Sequence, residues 1–266
     1  MNGAPQRSGA TGDPLSAVAI IPARLGSTRL PRKMLLRETG HYLFEHTVLN
    51  LRAAGVVDQI LLATDSDEIL KAATELDIDV LMTSEAHRSG TDRVHEAYNL
   101  LQKASDKQYD VILNVQGDEP ELSPIDLQHL VNAFEDPAVE FASLWVPIES
   151  EAEARSTSAV KVVLDDAGDA LYFSRSCIPN DEHRRDPQAP ATEHKRHVGV
   201  YAFRPKALAR FCSLSPGLLE RTENLEQLRW LEAGGRLRVL RATLAPCGID
   251  TREDYLAFVS RQAASN

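Results

Sequence analysis

Cysteine is scarce. The 266 residues hold three, Cys177, Cys212 and Cys247, far apart and without metal-ligand spacing. A disulfide scaffold and a zinc framework are thereby excluded, and a reducing cytoplasm is the simple expectation. No run of 18 apolar residues occurs, so no membrane partner is expected. A basic excess is missing too. The 39 acidic residues outnumber 29 basic ones, for a net charge of −10. That opposes nucleic acid as a partner, since such binding needs a broad positive face. Neither G-x-x-x-x-G-K-[ST] nor G-x-G-x-x-G is present, which excludes a P-loop and a plain dinucleotide-binding protein. Residues 1–15 lack an apolar core and read as a flexible tail rather than a signal peptide.

What cations there are gather early. Arg24, Arg29, Arg32 and Lys33 follow the apolar run 17–21, with Gly26, Ser27, Thr28 and Pro31 between them. The run reads as a buried strand that breaks at Pro22. A cationic loop after the first strand of an α/β sheet can wrap a polyphosphate. On charge alone, a solvated basic loop serves equally well.

Beyond it, strand and helix signals alternate. Strands are expected over 57–63, 78–82 and 111–115, and helices over 42–54, after the caps at 64–68, from Ser89-Gly90-Thr91-Asp92, and from Pro124. This order predicts an α/β fold with a mostly parallel sheet and helices on both faces. The loops at Arg24, Asp65, His87 and Asp118 then share the carboxyl edge, where ligands bind. The second half is richer in strands, at 140–147, 159–164, 170–174, 197–203 and 237–243, with a hairpin turn at 165–169. Helices are expected from Pro205, over 222–233 and at the end, and a mobile loop over 179–195. Residues 16–266 read as one domain.

Two acids stand at strand exits. Asp118 ends the apolar fourth strand, and Asp250 lies at a strand-to-helix junction. Either can hold Mg²⁺. Asp118 can equally be a turn residue and Asp250 a helix cap. Ser89 and Gly90 open a helix whose free N–H groups suit an anion, or are simply capped.

Several motifs then occur in a telling order. They are Ile20-Ile21-Pro22-Ala23-Arg24, Ser27-Thr28-Arg29-Leu30-Pro31-x-Lys33, Ala63-Thr64-Asp65, Ser89-Gly90-Thr91-Asp92-Arg93 and Asn114-Val115-Gln116-Gly117-Asp118-Glu119-Pro120. Ala159 to Val163, Ala170 to Arg175, His197 to Tyr201, Leu225 to Arg229 and Gly248 to Thr251 continue them. From about Ala17 onward the chain resembles the 3-deoxy-manno-octulosonate cytidylyltransferase family. The resemblance implies a Rossmann-like nucleotide-diphospho-sugar transferase fold of the glycosyltransferase-A type, with a β-rich dimerisation insertion. It implies a homodimer, with 140–205 serving the sugar acid and the interface. It also implies CMP transfer from CTP to 3-deoxy-manno-octulosonate (Kdo), with Mg²⁺, for lipopolysaccharide biosynthesis. Another sugar acid, such as 8-amino-Kdo or a sialic acid, and an inactive nucleotide-binding protein of this fold are the alternatives.

Carried over residue by residue, the resemblance gives Arg24 and Lys33 the triphosphate, with Arg29 assisting, and Asp118 and Asp250 the metal. Pro22, Ala23, Ser89, Gly90 and Gln116 take the nucleotide. Arg175, His197, Tyr201, Glu226 and Gln227 shape the Kdo pocket. Three positions depart from the family pattern: Arg32 replaces a glycine, Asn180 a tryptophan, and Cys247 a small or hydroxyl residue.

Overall fold

The computed structural model describes residues 14–27, 29–180 and 193–265. Most of the expected tail 1–15 and of the expected loop 179–195 lies outside the described residues. In chain order the elements are β1 (Ala17–Ala23), α1 (Leu43–Ala54), β2 (Gln59–Thr64), α2 (Asp67–Glu75), β3 (Val80–Met82), α3 (Gly90–Ala104), β4 (Val111–Asn114) and α4 (Pro124–Asn132). There follow β5 (Phe141–Pro147), α5 (Glu151–Arg155), β6 (Lys161–Leu164), β7 (Ala170–Ser174) and β8 (Lys195–Phe203). The chain ends with α6 (Pro205–Ser213), α7 (Leu218–Glu223), α8 (Gln227–Glu232), β9 (Arg238–Arg241) and α9 (Arg252–Ser265).

The sheet order is β3-β2-β1-β4-β8-β5-β9, with β6 and β7 attached beside β8. β1 to β4 run parallel, β8 is antiparallel to β4 and β5, and β9 pairs parallel with β5. β1 is buried along its whole length, as a strand covered on both faces must be. Its side chains alternate between two cores. Ala17, Ala19 and Ile21 pack with Phe44 and Val48 of α1 and Leu127 of α4. Val18 and Ile20 pack with Val94 of α3, Phe211 of α6 and Trp230 of α8.

Two expectations change, and one helix appears that the sequence did not signal. β1 does not break at Pro22 but pairs on through Ala23 with Thr64. The Ile20 carbonyl accepts from Val115 N, so Pro22 two residues on turns its missing donor to the same side, past the end of β4. A proline there removes no ladder bond. The single helix over 222–233 is two short ones, because Asn224 takes φ +53° and ends α7 in the left-handed region that asparagine tolerates. α5, capped by the Ser150 hydroxyl on Glu153 N, is too short to show a helical period.

Phe141 joins the second core together. Its ring stacks on Phe203 at 4.0 Å and meets Tyr201, Phe211 and Trp230 at 5.5–5.9 Å. Phe141→Ala is expected to lower the unfolding free energy by about 3–5 kcal/mol, read from urea unfolding. A loss below about 1 kcal/mol would show that this cluster does not anchor the sheet.

Candidate active site

The loop after β1 leads to a short turn of 3-10 helix, Lys33–Leu35, entered through Arg32 at φ +57°. The backbone there is left-handed, a conformation that glycine enters freely, yet the residue carries a side chain. The Arg32 guanidinium is held by both carboxylate oxygens of Glu68 in the first turn of α2. The next residue, Lys33, is only 8% exposed. Its ammonium donates to the Asp118 carboxylate, to the Ile249 carbonyl at 2.9 Å and to Asp250 Oδ1 at 3.2 Å. Arg29 Nη2 reaches Asp250 Oδ1 at 2.9 Å.

The two acids, far apart in the chain, therefore share one cation. Ile249 N donates to Asp118 O at 2.9 Å and so stitches the late segment to the exit of β4. Asp250 is not the cap of α9. Thr251 Oγ1 accepts from Asp254 N, while Asp254 Oδ2 accepts from Thr251 N and Asp250 N. This reciprocal box caps the helix and leaves the Asp250 carboxylate to the cleft. Beside the pair lies Glu119, whose Oε2 is buried without a hydrogen-bond partner among the described residues. Burial first, and then the Asp118 carboxylate, push the Glu119 carboxyl up to about 8. Gly248 makes room for it, since a Cβ there would stand 2.8 Å from Glu119 Oε1.

Arg29, Lys33, Asp118 and Asp250 line a cleft of about 920 Å³. The nucleotide candidates Pro22, Ser89, Gly90 and Gln116 line it too, as does Arg24. Ser89 caps α3, its hydroxyl accepting from Asp92 N at 3.1 Å. Gly90 is fixed by space: a Cβ would lie 3.2 Å from Gln116 Oε1 and 3.3 Å from Pro22 Cγ. Ala23 is buried within β1 and does not line the cleft. Asp65, expected at this edge, pairs with Arg93 and ties α3 to the exit of β2.

Tyr201 and Glu226 also line the cleft. Burial, and secondarily Glu226, raise the Tyr201 phenol well above its ordinary value, so it stays a donor, and it donates to Gln227 Oε1 at 3.2 Å. Gln227, Arg175 and His197 stand outside the cleft lining. Arg175 braces the break between α7 and α8, donating to the carbonyls of Glu223 and Asn224. His197 bonds Ser143 Oγ at 2.8 Å and packs edge-on against Phe173. Burial, then the neighbouring Arg196, lower its imidazole to about 3.

Sequence reasoning named neither Thr91 nor Asn114 for a role, although both lie inside quoted motifs. It also missed the Ile249 carbonyl, which no side-chain pattern can reveal. Arg229 and its partner Glu220, which close the wall near Leu214, were likewise not singled out.

Residues 18–239 match the family model described as Cytidylyltransferase. A 3-deoxy-manno-octulosonate cytidylyltransferase of Nitratidesulfovibrio vulgaris (strain DP4) is 44% identical over 249 residues, 93% of this chain and 96% of that protein. One from Acidobacterium capsulatum is 42% identical over 91% of this chain and 95% of its own length. A solved structure of CMP:2-keto-3-deoxy-manno-octonic acid synthetase complexed with CTP superposes with a TM-score of 0.85. It is 35% identical, covering 94% of this chain and all of the other.

The buried His197 gives a pH signature. Its folded value, about 3, lies below the ordinary 6.5. Between them the unfolded chain binds more protons, so stability is full above 6.5 and falls as pH drops. His197→Gln removes the titration. From pH 6.5 to 5 the wild type is expected to lose about 2 kcal/mol more than the variant in urea unfolding. Parallel pH curves would contradict the burial.

Proposed function

The chain belongs to the cytidylyltransferase family, and within it to the 3-deoxy-manno-octulosonate cytidylyltransferases; from that premise we propose that it transfers CMP from CTP to Kdo. The oxygen of the sugar's anomeric hydroxyl bonds to the α-phosphorus, and the bond to pyrophosphate breaks. CMP-Kdo is the product, for use in lipopolysaccharide biosynthesis. The observation that carries this reading is the meeting of Arg29, Lys33, Asp118 and Asp250 in a cleft that Tyr201 and Glu226 also line.

Little covalent work falls to the protein in such a transfer; it positions and neutralises. Arg24, Arg29 and Lys33 bind the triphosphate and offset the charge that builds on departing pyrophosphate. Pro22, Ser89, Gly90 and Gln116 hold the base and ribose side, with Ala23 fixing the backbone beneath them. Tyr201 and Glu226 face the sugar acid, and Arg175, His197 and Gln227 support them from outside the lining.

The donor set fits magnesium. Asp118, Asp250 and the Ile249 carbonyl already surround one cation, the Lys33 ammonium, and hard divalent cations take oxygen ligands of this kind. Asp118 and Asp250 would hold Mg²⁺. When bound, it lowers the proton affinity of the attacking hydroxyl and offsets charge on the α-phosphate.

A cytoplasmic homodimer completes the proposal. The 140–205 region supplies its interface, and Leu171 on β7, 62% exposed, is an apolar side chain that such a contact would cover.

Pyrophosphate release tests the whole reading. It is expected with CTP and Kdo together, and not with either alone or with other nucleoside triphosphates. A panel of sugar acids including 8-amino-Kdo and sialic acids should rank Kdo first. Asp250→Asn should stay folded and lose about 10²-fold or more in turnover. Wild-type turnover by that variant at saturating Mg²⁺ would remove the metal role.

A further inference from the structure

A line of hydrogen bonds joins two residues of the cleft lining, Gln116 and Glu226. Gln116 Nε2 donates to Asn114 Oδ1 at 2.9 Å, Asn114 Nδ2 to Thr91 Oγ1 at 3.0 Å, and the Thr91 hydroxyl to Glu226 Oε1 at 2.6 Å. Thr91 and Asn114 have no exposed surface. Both are placed by backbone. Asn114 ends β4 and is registered against Ile20 of β1 and Tyr201 of β8. Thr91 lies in the first turn of α3, fixed by the Ser89 cap.

The polarity of the line follows from valence. Thr91 has one proton, and it goes to the carboxylate, so its oxygen must accept from the Asn114 amide. The Asn114 carbonyl is then left for Gln116. The line ends on Glu226, whose second oxygen, Oε2, is buried and has no hydrogen-bond partner among the described residues. Burial raises the Glu226 carboxyl, and the hydroxyls of Thr91 and Ser89 oppose that rise. A buried acceptor left unpaired is costly, and Glu226 lines the cleft, where a donor on a bound ligand would satisfy Oε2.

Resting on the reading of the cleft as a site for CTP and Kdo, we infer that Thr91 and Asn114 are positioning residues for sugar-acid recognition. They lock one oxygen of Glu226 so that the other accepts a hydroxyl of the sugar acid. A carboxylate repels the acid group of that substrate and accepts from its hydroxyls, so Glu226 selects for a polyol at one ring or chain position. The nucleotide end of the line, Gln116, keeps its bond to Asn114 whether or not Thr91 retains its hydroxyl.

Steady-state kinetics by pyrophosphate release separate this role from plain support of the fold. Thr91→Val keeps the shape and removes the hydroxyl. It should raise KM for Kdo about tenfold or more, with kcat and KM for CTP within about threefold of wild type. Thr91→Ser should restore KM for Kdo. With mono-deoxy Kdo analogues, the penalty of Thr91→Val should vanish for the one lacking the hydroxyl that Oε2 accepts. Should Thr91→Val fail to fold, Thr91→Ala set against Thr91→Ser makes the same comparison. An unchanged KM for Kdo in a folded variant, or equal rises for both substrates with every analogue alike, overturns the inference. A wild-type enzyme that releases no pyrophosphate from CTP and Kdo overturns the functional reading instead, and this inference with it.

Discussion

One buried ammonium organises the active edge. The Lys33 side chain crosses from the first loop to the exit of β4 and to the segment before α9, and binds an oxygen from each. A charge held this far from solvent is stable only if paired and hydrogen-bonded, and three oxygens meet that demand. The two carboxylates are also kept close, against their mutual repulsion, only while a cation stands between them. Three stretches of chain that sequence order keeps apart thus become one site. The Arg29 contact to Asp250 brings a second positive charge to the same place.

The loop that delivers Lys33 carries strain. Arg32 occupies backbone space that glycine enters freely and other residues enter at a cost. Its double contact with Glu68 links the loop to α2 and offsets part of that cost, although both side chains are half-exposed and water weakens the pair.

The parallel half of the fold was legible because it obeys simple periods. β1 alternates between two cores, α1 ends at Gly55 with φ +62°, and α2 shows a clean apolar stripe over Ile69, Ala72 and Ala73. The meeting of Lys33, Asp118 and Asp250 was signalled only by their motifs, since Lys33 and Asp250 lie well past the ends of β1 and β9. What stayed hidden was how the side chains would be spent. Nothing in the spacing distinguishes Tyr201, which faces the cleft, from His197, four residues earlier on β8. Both side chains lie on the same face of β8, their rings 5.5 Å apart, while Val198, Val200 and Ala202 turn to the other core. Arg175 looks like a ligand-binding cation in the sequence, but its donors go to carbonyls at the α7 to α8 break. Thr91 and Asn114 look like ordinary members of a helix cap and a core strand until their partners are seen.

The central claim is that Asp118 and Asp250 form a cation site now filled by Lys33 and later by a metal that arrives with the nucleotide. A crystal structure of the enzyme with CTP and Mn²⁺, in which Mn²⁺ is located by anomalous scattering, tests it most directly. The account predicts an anomalous peak within bonding distance of both carboxylates, with the Lys33 ammonium moved off them onto the triphosphate. A peak elsewhere in the cleft, with Lys33 still bound between the two aspartates, would contradict it.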